Sequence, residues 1–166
     1  MVRLRYAVTM VVMMTSGTMA ILCSSPGEEG KVKKQFHFLS EWVSKDRGEK
    51  PLTTARKIRN IRILFARECA LKAHIDSYSG TYTPDEIAGH AAAVRSRFSS
   101  VSLSFYDFNI DFPEEGSANV NVTARLTGIS TTGERVDDAH ELECLLKCAE
   151  EKWIFTQVEV IDVLRR

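Results

Sequence analysis

The side chains able to move a proton near neutral pH are scattered along the chain: His74, Asp76, Tyr78, Tyr82, His90, Asp107, His140 and Glu141. Imidazole titrates close to neutrality, and a carboxylate within reach orients it, so a His–Asp pair is a sufficient unit for general acid/base chemistry. His74 with Asp107 is the pair expected to carry catalysis, if the chain catalyses anything. The weightier reading of a lone histidine at a strand end is a solvated or structurally hydrogen-bonded side chain. A pocket that is mostly apolar needs a few polar groups to fix orientation. Tyr78, Tyr82, His90 and Tyr106 are the expected ligand contacts.

Other chemistries lack their residue patterns. His74, His90 and His140 show no short-range ligand spacing, so no metal site is expected. Cys144 and Cys148 lie four apart where a strand pattern ends, and with Cys69 they read best as small buried apolar residues. No serine nucleophile elbow, phosphate loop or dinucleotide fingerprint is present, and no cofactor is expected. Lys plus Arg total 22 and Asp plus Glu total 22, so there is no basic field to recruit nucleic acid.

The positioning elements can be read from periodicity. Ser25-Pro26 followed by Glu28 and Glu29 opens a first helix, with a hydroxyl cap, a first-turn proline and acids facing the helix dipole. Val32, Phe36, Leu39 and Val43 recur on one stripe and carry it to about Lys45, with Trp42 beside the stripe and His37 pointing away. A second helix is expected from Thr53 or Thr54, with Ala55, Ile58, Ile61, Leu64 and Phe65 inward. Its Arg56, Lys57, Arg59 and Arg62 read as a solvated face, or as one facing anionic headgroups. A short strand is expected over Cys69 to Ile75.

The most specific local signal is Thr83-Pro84-Asp85-Glu86, a reciprocal capping box with proline at the first helical position. Ile87, Ala91, Val94 and Phe98 are the expected buried stripe of this third helix, with His90 beside it. Four strand patterns follow. In the first, Leu103 and Phe105 share one parity and Phe108, Ile110 and Phe112 the other, which predicts a bulge near Tyr106-Asp107. Turns at 113–116, 131–134 and 149–152 separate the others, and the last, Trp153 to Leu164, is apolar on both parities and is expected to be central and covered on both sides.

Ahead of these elements, Arg3 and Arg5 precede an uncharged apolar stretch from Ala7 to Cys23. A basic start followed by such a stretch reads as a signal peptide or signal anchor, and roughly 17 residues is near the minimum that spans a bilayer. Three fates stay open. An uncleaved anchor ranks first; lipidation at Cys23 and cleavage after Thr18-Met19-Ala20 share the remainder. The positive-inside tendency places the following domain outside the cytoplasm, in the periplasm or at the cell exterior. The expected division is therefore 1–25 as signal anchor or signal peptide and 26–166 as the domain.

The chain resembles the nuclear transport factor 2-like superfamily, the SnoaL-like cone fold, over about residues 30–166. The resemblance rests on Ile63-Leu64-Phe65-Ala66 leading to Cys69-Ala70-Leu71, on Ser79-Gly80-Thr81 before the capped helix, and on hairpins ending in Glu151-Lys152-Trp153-Ile154-Phe155. It implies an α+β fold: a cone-shaped, curved antiparallel sheet packed against three N-terminal helices and preceded by the apolar segment. It also implies a pocket inside the cone and a homodimer through the outer sheet face. Steroid-isomerase-like relatives place a carboxylate where this chain has Ala73, which weighs against that reaction. The chain is similar to bacterial members with an N-terminal membrane segment. The function expected is non-catalytic binding of a small apolar ligand or a protein partner by a tethered extracytoplasmic domain. The alternative is an acid/base isomerase, dehydratase or cyclase acting on a small organic substrate.

Overall fold

A computed structural model describes residues 26–73 and 79–164. The expectations placed on residues 1–25, including Cys23, and on His74, Asp76 and Tyr78 lie outside the described residues. Two helices, α1 (Pro26–Val43) and α2 (Pro51–Ile61), lead through a single 3-10 turn, Arg62–Leu64, into strand β1 (Phe65–Lys72). A short β2 (Gly80–Tyr82) and helix α3 (Pro84–Ser96) precede four long strands: β3 (Phe98–Asp111), β4 (Ser117–Ser130), β5 (Arg135–Ala149) and β6 (Lys152–Leu164). The six strands form one curved sheet in the order β2-β1-β6-β5-β4-β3.

Two sequence expectations need correction, and one strand was not anticipated. The sheet is mixed rather than antiparallel, because β1 runs parallel to β6 while every other pair is antiparallel. Side-chain alternation reports which face a residue takes and carries no information on strand direction. Second, β1 begins at Phe65 rather than near Cys69: after the 3-10 turn the Phe65 backbone is extended (φ −113°, ψ 148°) and pairs with Phe155. The unanticipated strand is Gly80–Tyr82, paired with β1 through Cys69↔Tyr82 and Leu71↔Gly80.

Other expectations hold. The capping box is complete: Glu86 N–H donates to Thr83 Oγ1 (3.4 Å), and Thr83 N–H donates to Glu86 Oε2 (2.8 Å). The predicted bulge is present as a register shift between Tyr106 and Asn109, with Asp107 in the left-handed region at φ 56°. Asp tolerates that region better than most residues. The bulge turns Phe108 and Ile110 to the face that Leu103 and Phe105 occupy before it. β6 is central, between β1 and β5. The covering of its outer face is only partial, since Ile161 is 43% exposed.

The core lies where α1 crosses the concave face of the sheet. Val32 and Phe36 are buried, as the stripe required. The Phe36 ring stands edge-on to Phe105, Phe108 and Phe155, with centroids 5.2, 5.2 and 5.0 Å away. Such edge-on pairs contribute about 0.5–1.5 kcal/mol each beyond area burial. Around them pack Ile61, Leu64, Phe65, Cys69, Val120, Cys144, Leu146 and Trp153. Cys69 and Cys144 are the buried apolar residues expected, but Cys148 is exposed near the β5–β6 turn.

At the far end of α1 a charged cluster is built into the interior, and it was not expected. Arg95 of α3 is 2% exposed. Its Nη1 donates to the carbonyls of Trp42, Val43 and Ser44 (2.8, 2.9 and 2.6 Å), and its Nη2 donates to the Glu49 carboxylate. Lys57 donates to Glu49 Oε2 (2.7 Å) and to the Ser44 carbonyl (3.0 Å). Lys45 returns the contact, donating to the carbonyls of Arg95 and Phe98 (3.2 and 2.6 Å). The orphan carbonyls at the ends of α1 and α3 are thus met by cations from the neighbouring segments. Lys57 therefore does not belong to the solvated face of α2. The buried stripe of α3 also turns: Ile87, Ala88 and Arg95 face inward, while Val94 is 39% exposed.

Candidate functional site

The site begins with the turn from β2 into α3. Pairing with Cys69 and Leu71 sets Gly80–Tyr82 at the sheet edge, and Thr83 then caps α3 immediately after Tyr82. The helix therefore folds back over the strand it has just left. His90, two turns along, comes to rest on Tyr82 with ring centroids 5.2 Å apart and planes at 85°. Leu71, Ile87, Ala93, Val94 and Arg97 complete the lining, and the cavity measures about 240 Å³. Val94 lines it because Arg95 has taken the inward position. The groove is thus apolar, with a phenol, an imidazole and a guanidinium as its polar groups.

Its electrostatics are those of a helix flank. The Glu86 carboxyl is held below its ordinary pKa, chiefly by the Thr83 backbone N–H and then by the Thr83 hydroxyl, with a smaller contribution from His90 one turn on. Arg97 follows α3 at its C-cap, where its N–H bonds the Val94 carbonyl (3.0 Å). Arg97 is the one permanently charged residue of the pocket lining, which contains no carboxylate.

Of the six expected site residues, Tyr82 and His90 are brought together, and His74 and Tyr78 lie outside the described residues. Tyr106 and Asp107 sit on the bulge of β3, the sheet edge opposite β2, and both are exposed. Neither lines the Tyr82–His90 groove. Ala73 is clasped by Ser79: its N–H donates to Ser79 Oγ (3.0 Å) and its carbonyl accepts from the same hydroxyl (2.9 Å).

One residue emerges that sequence reasoning named without placing. His140 pairs with Ala124, which pairs with Phe105, so the imidazole shares the concave face with the core row of β4. Its Nδ1 is buried with no hydrogen-bond partner among the described residues. The signal was the shared parity of His140 with Leu142, Cys144 and Leu146. Among the described residues no cluster of His, Cys, Asp or Glu can hold a metal ion. A larger groove of about 590 Å³ opens at the start of α1 beside Phe112, Trp153 and Cys148. Its lining carries Glu28, Lys31, Glu115 and Glu151, and Glu28 accepts from Trp153 Nε1 (2.9 Å), so it suits an apolar ligand less well.

No family model and no curated protein matches the sequence. Solved structures do match. A scytalone dehydratase-like protein from Novosphingobium aromaticivorans aligns at 16% identity over 84% of this chain and 85% of that one, with a TM-score of 0.66. The hexachlorocyclohexane dehydrochlorinase LinA-type3 from Novosphingobium barchaimii aligns at 10% identity over 84% and 88%, TM-score 0.65. A protein of unknown function with a cystatin-like fold from Nostoc punctiforme aligns at 11% identity over 84% and 92%, TM-score 0.60. At these identities the likeness speaks for architecture alone. The chain has the nuclear transport factor 2-like, or SnoaL-like, cone fold.

Proposed function

We propose that this protein is a non-catalytic binding domain whose groove under α3 takes a small apolar ligand with an anionic group. One observation carries the reading: the rings of Tyr82 and His90 and the aliphatic side chains of Leu71, Ile87 and Val94 converge on a cavity that Arg97 also lines. Apolar walls with a few orienting polar groups are the usual make-up of small-molecule sites. The centre of the concave face, by contrast, is filled by Phe36 and the rings packed on it. The aromatic anion 1-anilinonaphthalene-8-sulfonate serves as probe. Saturable binding is expected for the native chain, lost in Val94→Glu and at least about tenfold weaker in Tyr82→Ala. Equal binding by native protein and Val94→Glu would remove the groove from consideration.

The proposal includes the setting of the domain. Residues 7–23 tether it to a bacterial membrane with residues 26–166 outside the cytoplasm; the support is the uncharged apolar stretch behind Arg3 and Arg5. A homodimer through the outer sheet face would be held by polar contacts, since Ser104 and Arg125 are neighbours there and Arg125 makes a two-pronged pair with Asp137 (2.8 and 2.7 Å).

A second reading, acid/base chemistry on a small organic substrate, is favoured by the buried Nδ1 of His140 on the concave face, which has no hydrogen-bond partner among the described residues. Two of the structural neighbours carry the names of a dehydratase and a dehydrochlorinase. The readings part at His140→Ala, which leaves probe binding in the groove unchanged under the first. Under the second it abolishes elimination of water or chloride from a ring substrate.

A further inference from the structure

The face of α2 turned away from the core carries a repeat of its own. Leu52, Arg56 and Arg59, then Ile63 in the 3-10 turn that continues the helix, recur at helical spacing and are all exposed. Leu52 is 86% and Ile63 69% exposed, while Ile61 on the opposite side is fully buried. The two aliphatic residues stand about 16 Å apart along the axis with the two arginines between them. Arg62 lies on the flank, paired with the exposed Asp85 at 2.8 Å. Lys57, which the sequence grouped with these cations, is withdrawn into the Glu49 pair, so the outer face holds guanidinium groups and aliphatic ends.

We propose that this face docks on a bilayer surface containing anionic phospholipids. Guanidinium groups bind phosphate through paired N–H donors, and their aliphatic stems lie along apolar surface while the charge stays at headgroup level. Exposed Leu and Ile at either end then enter the boundary between headgroups and acyl chains, the arrangement of helices that lie in an interface. The pattern is convex and linear, which fits a plane of headgroups. Charge complementarity selects anionic lipid. The docking does not depend on the tether, although Cys23 and Pro26 are separated only by Ser24-Ser25, so a tethered domain would sit against the bilayer.

The test uses the full chain with Leu52→Trp as reporter, since Trp42 and Trp153 are part-buried and buried away from this face. Vesicles of phosphatidylcholine, with or without phosphatidylglycerol, include brominated phosphatidylcholine as a quencher at bilayer depth. Reporter quenching is expected on the anionic vesicles and not on the zwitterionic ones. Arg56→Gln with Arg59→Gln weakens docking on the order of thirtyfold, as does the loss of two surface cations, and Arg56→Lys with Arg59→Lys retains most of it. Quenching that is equal on both vesicles, absent while the chain sediments with them, or indifferent to the glutamine pair overturns the proposal. Sedimentation with phosphatidylcholine alone reports residues 7–23 separately. A chain that sediments and quenches only on anionic vesicles refutes the tether and leaves the docking standing.

Discussion

Arg95→Met tests the account of how the helices are held on the sheet. The side chain is 2% exposed and supplies hydrogen bonds to three carbonyls at the end of α1 and an ion pair to Glu49, itself 5% exposed. Methionine keeps much of the length and apolar stem but leaves the three carbonyls without that donor, and Glu49 with Lys57 as its one cationic partner beside the Thr54 hydroxyl. Removing one partner of a buried pair costs about 3–5 kcal/mol. With a urea dependence of about 2 kcal/mol per molar, the unfolding midpoint falls by roughly 2 M. Tryptophan fluorescence is a suited signal, because the Trp42 carbonyl is one of the acceptors and its ring stacks on Phe38 at 5.1 Å. The substitution also changes the pH profile. Burial raises the Glu49 carboxyl pKa, but hydrogen bonds from Lys57 and Thr54 and the charges of Arg95 and Lys57 outweigh it, so the net shift is downward. A carboxyl depressed in the folded state stabilises above its unfolded pKa, about 4.3, and loses that contribution as pH falls through the folded value. Arg95→Met should therefore cost most near neutrality and progressively less as the pH drops below about 4. A midpoint shift under about 0.5 M, or a loss independent of pH, would refute the reasoning.

Thr83→Ala removes the cap of α3 and should cost about 1 kcal/mol, read by the same urea titration, with the groove probe weakened because Tyr82 adjoins the cap; no change in either would show that the box merely decorates the turn. Thiol labelling of the folded chain should reach Cys148 and spare Cys69 and Cys144, whose burial pushes the Cys69 thiol up to about 11 and raises that of Cys144 further. Unfolding in denaturant releases the two protected thiols together, and labelling of either under native conditions would contradict the described core.

Much of the fold was legible because its signals are local. The capping box needs only residues 83–86, and the bulge at Asp107 shows as a change of parity between Phe105 and Phe108. What stayed hidden depends on partners far apart in sequence. Nothing in Phe65–Lys72 encodes that its neighbour is β6 running the same way. Arg95 and Lys57 look like surface residues until Glu49, in a charged stretch readable only as a helix stop, is seen to close on both. The candidate site divides the same way. Tyr82 and His90, two of the four expected ligand contacts, flank a locally encoded cap and do meet, whereas Tyr106 and Asp107 belong to the opposite sheet edge.

The Glu49 cluster also decides which residues face outward. By drawing Arg95 inside it turns α3 so that Val94 reaches the surface and becomes a wall of the Tyr82–His90 groove. By drawing Lys57 inside it leaves Leu52, Arg56 and Arg59 as the exposed stripe of α2. Both proposed recognition surfaces therefore depend on a feature that touches neither ligand. Loss of Arg95 should accordingly weaken the groove and the helix face together, even under conditions where the chain stays folded. A surface substitution such as Arg56→Gln should affect only its own face. If Arg95→Met lowers stability but leaves probe affinity and vesicle docking untouched, the helix orientations are set by the Phe36 core alone, and the cluster serves only to satisfy helix ends.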